Sequence, residues 1–435
     1  MMIPQIKELG FEMTSEVAQA GLIVVNTCGF LESAVQEAIE AILEAAAFKK
    51  KGCCAHLVVA GCMVQRYGKK LSALLPEVDL FVGASHLLKL GDALRPLVEG
   101  RSAPGLSGRV HIGRPRELPS AQTPRFRSTP GHTAYVKVAD GCSNNCTFCM
   151  IPRLRGPYRS RSAPDILDEI KRLLDEGVRE INLIAQDTAA LGTDRGEPEA
   201  LIRLLEGIED SPEPAWVRLL YLYPERIGLP LLKAIARSSK VVPYLDIPFQ
   251  HCVPRILRTM RGSRPVMAPE EVIASIRSHV PGIALRTSLM VGFPGETEKD
   301  FKVLCDFVQA QRLHHVGVFA FSPEPGTAAT RMSHQISREI KEERKEILLS
   351  IQREISREYL EELVGQIRPV LVEGVHPETD LLLVGRLATQ APEVDGSVLI
   401  TSGEGFPGAI LPALITQAHD YDVEAQLLMG ELSAP

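Results

Sequence analysis

The 435-residue sequence predicts an α/β protein in three parts: an N-terminal parallel α/β domain, an incomplete (βα)6 TIM-like barrel and a small closed C-terminal β-barrel. Three observations carry this. Short β-branched runs alternate with amphipathic helical stretches over residues 1–100 and again over 133–332, the order that builds parallel sheets. From residue 366 the helical period stops, and short strands split by Gly, Pro and Asp take over. The chain is also too long for one ordinary hydrophobic core.

In the first part, "GLIVVNTCGF", "HLVVAGCMVQRYG" and "VDLFVGAS" each read as a strand breaking into a loop. Between the first two, "LESAVQEAIEAILEAAAFKK" places Leu31, Val35, Ala38, Ile39, Ile42 and Leu43 on one helical face. Residues 101–132 are rich in Pro, Ser, Gly and Arg, lack periodicity and read as a surface linker. In the barrel the strands are "TAYVKVAD", "EINLIAQD", "WVRLLYLYP", "VPYLDIPFQ", "ALRTSLMVGF" and "HVGVFAFSP", with helices such as "APDILDEIKRLLDEG" between them. Six strands fall short of the eight that close such a barrel, whose site lies at the carboxyl ends of its strands. Residues 333–365 predict one long connecting helix with a solvated face of interleaved charge. Residues 366–435 supply five strands for the last barrel.

Composition narrows the function classes. Hydrophobic residues make up 45% and charged residues 23%, which fits a globular protein and excludes a disordered one. No apolar run has the length of a membrane span, and "MMIPQIKELGFEM" has no signal-peptide pattern, so the expected location is the cytoplasm. The nine cysteines are an odd number, which argues against a disulfide framework and for metal binding or catalysis where thiols cluster.

They cluster in "GCSNNCTFCM", where Cys142, Cys146 and Cys149 follow the first barrel strand. Structural zinc needs a fourth protein ligand, and only His132 or His251 offers itself. An iron–sulfur cubane held by three thiolates keeps one iron open for a small molecule. Cys28 and Cys62 sit just past two strands of the first sheet, the edge where open α/β sheets bind ligands, and are expected to share a second metal site.

This C-x3-C-x2-C spacing, with Phe148 before the last cysteine, resembles the radical S-adenosylmethionine (SAM) superfamily. The resemblance implies a [4Fe–4S] cluster whose open iron is chelated by SAM, and reductive cleavage of that cofactor to a 5′-deoxyadenosyl radical. It extends along the chain. "VVNTCGF" and "AGCMVQRYG" resemble the N-terminal domain of the methylthiotransferases, "CSNNCTFCMIPRLRGPYRSR" their cluster loop, and the last barrel their TRAM domain. In that family a second [4Fe–4S] cluster rests on three N-terminal cysteines. Cys28 and Cys62 match the second and third, while the first has no counterpart and the first strand of the domain is missing, which reads as a shortened N-terminus. Cys53 or Cys54 could substitute, but both stand at the wrong end of a strand. Without a third cysteine the second cluster is expected to be held poorly.

Two branches of the family compete. One modifies adenosine in transfer RNA (the MiaB type); the other, the RimO type, modifies the β-carbon of an aspartate in the twelfth protein of the small ribosomal subunit. "LIAQDTAALG", "LLYLYPERI" and "VPYLDIPFQH" resemble the latter. Charge agrees. Residues 366–435 hold two basic residues, Arg368 and Arg386, against ten acidic ones, a balance of −8 that lacks the cations RNA phosphates require. A basic ribosomal protein, met alone or within the ribosome, suits that surface better than nucleic acid.

Further site residues follow from position. Arg155, Arg159 and Arg161 are expected to contact substrate or cofactor carboxylates, as guanidinium groups do. Gln186, Asp187, Arg286, Ser288 and Gly292 lie at or near strand ends and are expected, with Phe148, to contact the cofactor. Asp187 and the "VGFPGETE" turn have turn-forming readings of nearly equal weight. No residue is assigned a catalytic role, His251 included. An electron donor such as flavodoxin or ferredoxin is expected, and no membrane partner. The reading from another class is an iron–sulfur scaffold or carrier without turnover.

Overall fold

The structure, a computed structural model, describes residues 1–101, 108–211, 216–262 and 265–428. The first sheet is parallel, in the order β1 (Leu22–Thr27), β2 (His56–Gly61), β3 (Leu80–Gly83) and β4 (Val110–His111). It is accompanied by helices α1 (Met2–Lys7), α2 (Glu32–Lys51), α3 (Cys62–Leu74) and α4 (Leu90–Val98). Alternation along β2 serves two cores. Leu57 and Val59 pack with Ala38, Ile42 and Phe81, whereas Val58 and Ala60 pack with Leu80, Leu90 and Leu94. A strand covered on both faces reads as a continuous apolar run, as "LVVA" does.

Two details differ from the sequence-based expectation. The buried stripe of α2 is Ala38, Ile42 and Ala45, while Leu43 is 50% exposed and Leu31 is only the residue before the helix. Small side chains let an Ala-rich helix lie close on the sheet, and this turns Leu43 outward. Part of the expected linker is also sheet: Val110 and His111 pair in parallel with Phe81 and Val82. Two residues are too few to show a strand period.

From Thr133 the chain runs through β5 (Thr133–Lys137), β6 (Ala139–Asp140), α5 (Ile151–Arg155), β7 (Arg159–Ser160) and α6 (Ala163–Asp175). Then come β8 (Glu180–Ile184), α7 (Ala200–Glu209), β9 (Trp216–Leu219), α8 (Leu229–Arg237) and β10 (Val241–Asp246). They are followed by α9 (Pro254–Arg261), α10 (Pro269–His279), β11 (Ala284–Val291), α11 (Glu298–Gln311) and β12 (His315–Ala320). All six expected barrel strands are present in one parallel sheet, in the order β12-β11-β10-β9-β8-β5, with β12 and β5 at its edges. Helix starts obey capping rules. Ser162 accepts a hydrogen bond from the Asp165 amide, and Thr297 and Asp300 form a capping box for α11.

Helix α12 (Arg338–Glu361) is the long helix expected, but its charged residues are not all solvated. Lys341 and Arg344 are buried at 7% and 6% exposure. Lys341 Nζ donates to the Phe321 carbonyl at 2.9 Å, and Arg344 Nη2 pairs with Glu298 at 2.9 Å. Strands β13 (Ile367–His376), β14 (Thr379–Leu387), β15 (Val398–Ser402), β16 (Ile410–Ala418) and β17 (Val423–Leu427) close a barrel in the order β13-β14-β15-β17-β16. Leu360 and Leu363 join its core of Val370, Val372, Val398, Ala413 and Ile415.

A buried ionic cluster fastens this barrel to the six-stranded sheet. Glu180 is fully buried at the start of β8, and its carboxylate accepts from Arg386 Nη2 of β14 at 2.5 Å and from Arg218 Nη2 of β9 at 3.1 Å. Arg218 also donates to the Ala388 carbonyl, and Arg386 to Glu373 and the Gln390 carbonyl. Burial alone would raise the Glu180 pKa, but the two guanidiniums overcome it and hold the carboxyl below its ordinary range.

The chain divides into two compact units. One comprises residues 1–126, 140–159 and 322–331; the other comprises 127–139, 160–321 and 332–435. The three-cysteine loop therefore belongs to the same unit as the first sheet. Among the described residues no helix is long and apolar enough to cross a membrane.

Candidate functional site

All five candidate metal ligands lie in the first unit. Cys28 follows the last residue of β1, and Cys62 opens α3 directly after β2. Because Thr27 and Gly61 are register partners, the two cysteines leave the sheet side by side. Glycine makes the approach possible. A Cβ on Gly29 would lie 2.6 Å from the Cys62 carbonyl carbon, and one on Gly61, at φ +111°, would lie 2.4 Å from the Thr27 oxygen. Cys28 is exposed and Cys62 half-buried. Cys54 instead lies buried in the core of the first sheet and Cys53 is exposed before β2, at the end of the strand opposite Cys62.

The second group sits on a loop pinned at both ends. The Cys142 amide donates to the Gly156 carbonyl at 3.1 Å, the Asn144 amide to Cys142 Sγ at 3.4 Å, and the Cys149 amide to the Cys146 carbonyl at 3.1 Å. Gly141, at φ +81°, lets the loop fold back: a Cβ there would be 2.2 Å from the Pro157 carbonyl oxygen. Asn145 takes φ +53°, a conformation asparagine tolerates. The three sulfurs are half-buried, with Phe148 half-buried among them in sequence. Burial pushes the Cys149 thiol up to about 12 and raises that of Cys62. Ligation replaces these protons by metal, so loading this site is coupled to proton release. Soft sulfur donors, a backbone amide aimed at sulfur and a tightly reversed loop fit an iron–sulfur cluster.

Two residues unremarked in the sequence hold the Cys28 segment. Arg66 Nη1 donates to the Gly29 carbonyl and to Glu324 Oε2, each at 2.9 Å, and Nη2 donates to the Pro325 carbonyl at 3.0 Å. Glu324 in turn accepts from the Glu32 amide at 2.9 Å, capping α2. The pair is buried, at 5% and 2% side-chain exposure. A signal existed for one partner: Arg66 stands four residues after Cys62 and so shares its helix face.

The arginines part company. Arg155 Nη1 lies 3.5 Å from Asp140 Oδ2, a partner within the fold in place of the expected substrate carboxylate. Arg159 Nη1 donates to the carbonyls of Arg155 and Pro157, bracing the loop. Arg161 is 5% exposed, its guanidinium bound to Asp165 at 2.7 Å and Glu169 at 2.5 Å, so it stabilises the start of α6 and is not presented to a ligand.

In the second unit, β11 alternates buried Leu285, Thr287, Leu289 and Val291 with half-buried Arg286, Ser288 and Met290, which share the other face. Arg286 is neutralised there by Asp395 at 2.5 Å, with His315 3.3 Å from the same carboxylate, so its expected cofactor contact gives way to an ion pair with the loop before β15. Asp187 is buried and accepts from Arg226 Nε at 2.9 Å and from the Tyr223 amide at 3.4 Å, which is the turn-stabilising alternative. Gly292 is buried at φ +70°, where a Cβ would be 2.2 Å from Lys341 Cγ, and its amide donates to Glu296; the stem of Lys341 explains this glycine. Gln186 is different. Its Oε1 is buried with no partner among the described residues, as are both side-chain amide atoms of Asn182, four residues earlier on β8. Unsatisfied polar atoms of this kind fit a polar ligand such as SAM. His251 is fully buried, its Nδ1 accepting from the Val253 amide, and His132 is 4% exposed; neither belongs to the unit that carries the cysteines.

A soft-sulfur loop after the first strand of an incomplete parallel barrel, with a second cysteine pair on an α/β domain and a β-barrel at the end, defines a radical SAM enzyme of the methylthiotransferase class. Three family profiles match accordingly: the uncharacterized protein family UPF0004 over residues 1–83, the radical SAM superfamily over 136–308 and the TRAM domain over 364–428. The chain belongs to the RimO family of methylthiotransferases. It is 57% identical to the ribosomal protein uS12 methylthiotransferase RimO of Syntrophobacter fumaroxidans, over 98% of this chain and 94% of that protein. It is 42% identical to the RimO of Myxococcus xanthus, over 98% and 88%. In fold it is similar to the radical SAM methyltransferase TsrM of Kitasatospora setae with cobalamin and a [4Fe–4S] cluster bound, at TM-score 0.55 and 15% identity, over 85% of this chain and 72% of that one. The chain is a radical SAM methylthiotransferase that uses [4Fe–4S] clusters and SAM.

Proposed function

We propose that this enzyme adds a methylthio group to the β-carbon of an aspartate in ribosomal protein uS12, in the cytoplasm, with electrons from a flavodoxin- or ferredoxin-like donor. The five cysteines gathered in one compact unit, three on a pinned loop and two at neighbouring strand ends, carry this reading. When bound, the clusters and SAM supply the one-electron chemistry and the methyl group that no side chain can provide. The chain's own residues do the rest. Cys142, Cys146 and Cys149 hold the cluster that faces SAM; Cys28 and Cys62 hold the second. Gln186, with Asn182, offers hydrogen bonds to the cofactor, and Ser288 lies on the half-buried face of β11.

Surface charge supports a basic protein over RNA. Of the two cations after residue 365, Arg386 is buried in its ion cluster, leaving Arg368 exposed among Glu378, Asp380, Glu393, Glu404 and Asp420. Phosphate binding needs the opposite sign. Incubation of the reconstituted enzyme with SAM, reductant and uS12 is expected to yield 5′-deoxyadenosine and a uS12 peptide carrying the methylthio mass on one aspartate. Modification of transfer RNA alone would overturn the substrate assignment, and a cluster-loaded protein producing no 5′-deoxyadenosine would overturn the enzymatic one.

A further inference from the structure

One aromatic residue at a strand end of the six-stranded sheet is held in a backbone conformation that its side chain disfavours. Tyr221 stands two residues past β9 at φ +59°. Left-handed backbone is an outlier for a bulky side chain; it persists where the surroundings impose it, and such outliers gather at functional sites. Here the segments beyond β8 and at the end of β10, the two strands that flank β9, impose it. The Tyr221 amide donates to Asp246 Oδ2 at 3.4 Å, and its carbonyl accepts the Thr188 amide at 2.9 Å. On either side, Thr188 Oγ1 donates to the Leu220 carbonyl at 2.6 Å and the Leu222 amide to the Asp246 carbonyl at 2.9 Å. Packing does not repay the strain. Leu220 and Leu222 are 7% and 0% exposed, yet Tyr221 between them is 50% exposed, and its hydroxyl makes no hydrogen bond among the described residues. Gln250, beyond β10, repeats the arrangement at φ +71°: its amide donates to the Ser288 carbonyl at 2.8 Å and its carbonyl accepts the Met290 amide at 2.7 Å. Two adjacent strands thus end in imposed left-handed residues, at the carboxyl ends where such barrels bind ligands.

We propose that Tyr221 is a substrate-binding residue: its hydroxyl donates a hydrogen bond to the side-chain carboxylate of the target aspartate, and the strained backbone aims it. This rests on the reading of an aspartate in uS12 as the methylthiolation target. Reaction at the β-carbon requires that the carboxyl group bonded to it be fixed. The two arginines on the strands of the sheet, Arg218 and Arg286, are committed to Glu180 and Asp395, so a neutral donor is left for the task. Partial burial and, secondarily, the Asp246 carboxyl push the Tyr221 hydroxyl above its ordinary pKa, so it keeps the proton it would donate at neutral pH. A donor that only the right side chain satisfies also discriminates against the others.

The test uses the reconstituted full chain with SAM, reductant and uS12, and reads initial rates of methylthiolation by peptide mass spectrometry. Tyr221→Phe is expected to raise the KM for uS12 about tenfold, the scale of one hydrogen bond to a charged group, with the KM for SAM unmoved. Its melting temperature should match that of wild type, because the hydroxyl has no partner in the fold to lose. Binding supplies the second arm. Wild type should hold uS12 more tightly than uS12 whose modified aspartate is replaced by asparagine, and Tyr221→Phe should lose that preference. An unchanged KM for uS12, a rise confined to the KM for SAM, a fall in melting temperature that accounts for the lost activity, or a carboxylate preference that is absent in wild type or undiminished in the variant overturns the proposal. Failure of wild type to modify uS12 would overturn it together with the substrate reading beneath it, whereas modification by wild type and Tyr221→Phe alike overturns this inference alone.

Discussion

Changing Glu180 to Gln isolates the buried ion cluster that joins the C-terminal barrel to the six-stranded sheet. Gln keeps the shape and removes the charge, leaving two guanidiniums facing a neutral amide. Arg218, at 0% side-chain exposure, would retain the Ala388 carbonyl and the face of Tyr244, whose ring centre is 4.6 Å away. Arg386 would retain Glu373, so the cost concentrates on Arg218. Breaking a buried pair by removing one partner costs about 3–5 kcal/mol, because a buried charge is left uncompensated. At roughly 2 °C per kcal/mol for a unit of this size, the calorimetric transition of the second unit should fall by roughly 6–10 °C. The pH dependence is fixed in sign. Glu180 has a depressed folded-state pKa, so its stabilisation is present above the ordinary glutamate range and is lost as the pH falls through the folded value. The gap between wild type and variant should therefore hold at pH 7 and narrow only in acid. A drop of less than about 1 kcal/mol at pH 7, the scale of an exposed pair, would refute the reasoning. A triple replacement of Glu180, Arg218 and Arg386 by apolar residues of similar volume should be far milder than Glu180→Gln alone, since no charge is then stranded.

Gly29→Ala would force a methyl group to within 2.6 Å of the Cys62 backbone and push the two cysteine loops apart; the expected result is loss of the second cluster's iron with 5′-deoxyadenosine production retained. Glu324→Gln strands the buried Arg66 and weakens the cap of α2, so hydrogen exchange at the Glu32 amide should accelerate, and unchanged exchange would count against the role given to the pair. Burial raises Asp246 to about 6, so wild type should lose stability relative to Asp246→Asn as pH rises from about 4 to 6, by an amount on the order of 3 kcal/mol, and a pH-independent difference in melting would contradict this.

Periodicity alone located β1 to β3 of the first sheet, every strand of the six-stranded sheet and every strand of the last barrel, but not the two-residue β4, because a strand of ordinary length buried on both faces or on alternate faces must display that burial in its residues. The spacing of Cys142, Cys146 and Cys149 likewise singled them out as a cluster of thiols, and the three lie on one loop of the first unit, since local chain geometry sets their separation. The strand-end positions of Cys28 and Cys62 were legible for the same reason: each follows a strand that announces itself. What sequence could not settle is which charges meet. Arg161, Asp187, Arg286 and Gly292 all read as ligand contacts, yet each is claimed by a partner in the fold: Glu169, Arg226, Asp395 and the stem of Lys341. Conversely, Arg66 and Glu324 are separated by 258 residues and Glu180 and Arg386 by 206, so nothing in either local window foretells the pairing. Backbone hydrogen bonding and apolar burial repeat along the chain and leave a pattern there. An ion pair joins two points only once the chain has closed around them, and that closure decided which residues remain for cofactor and substrate.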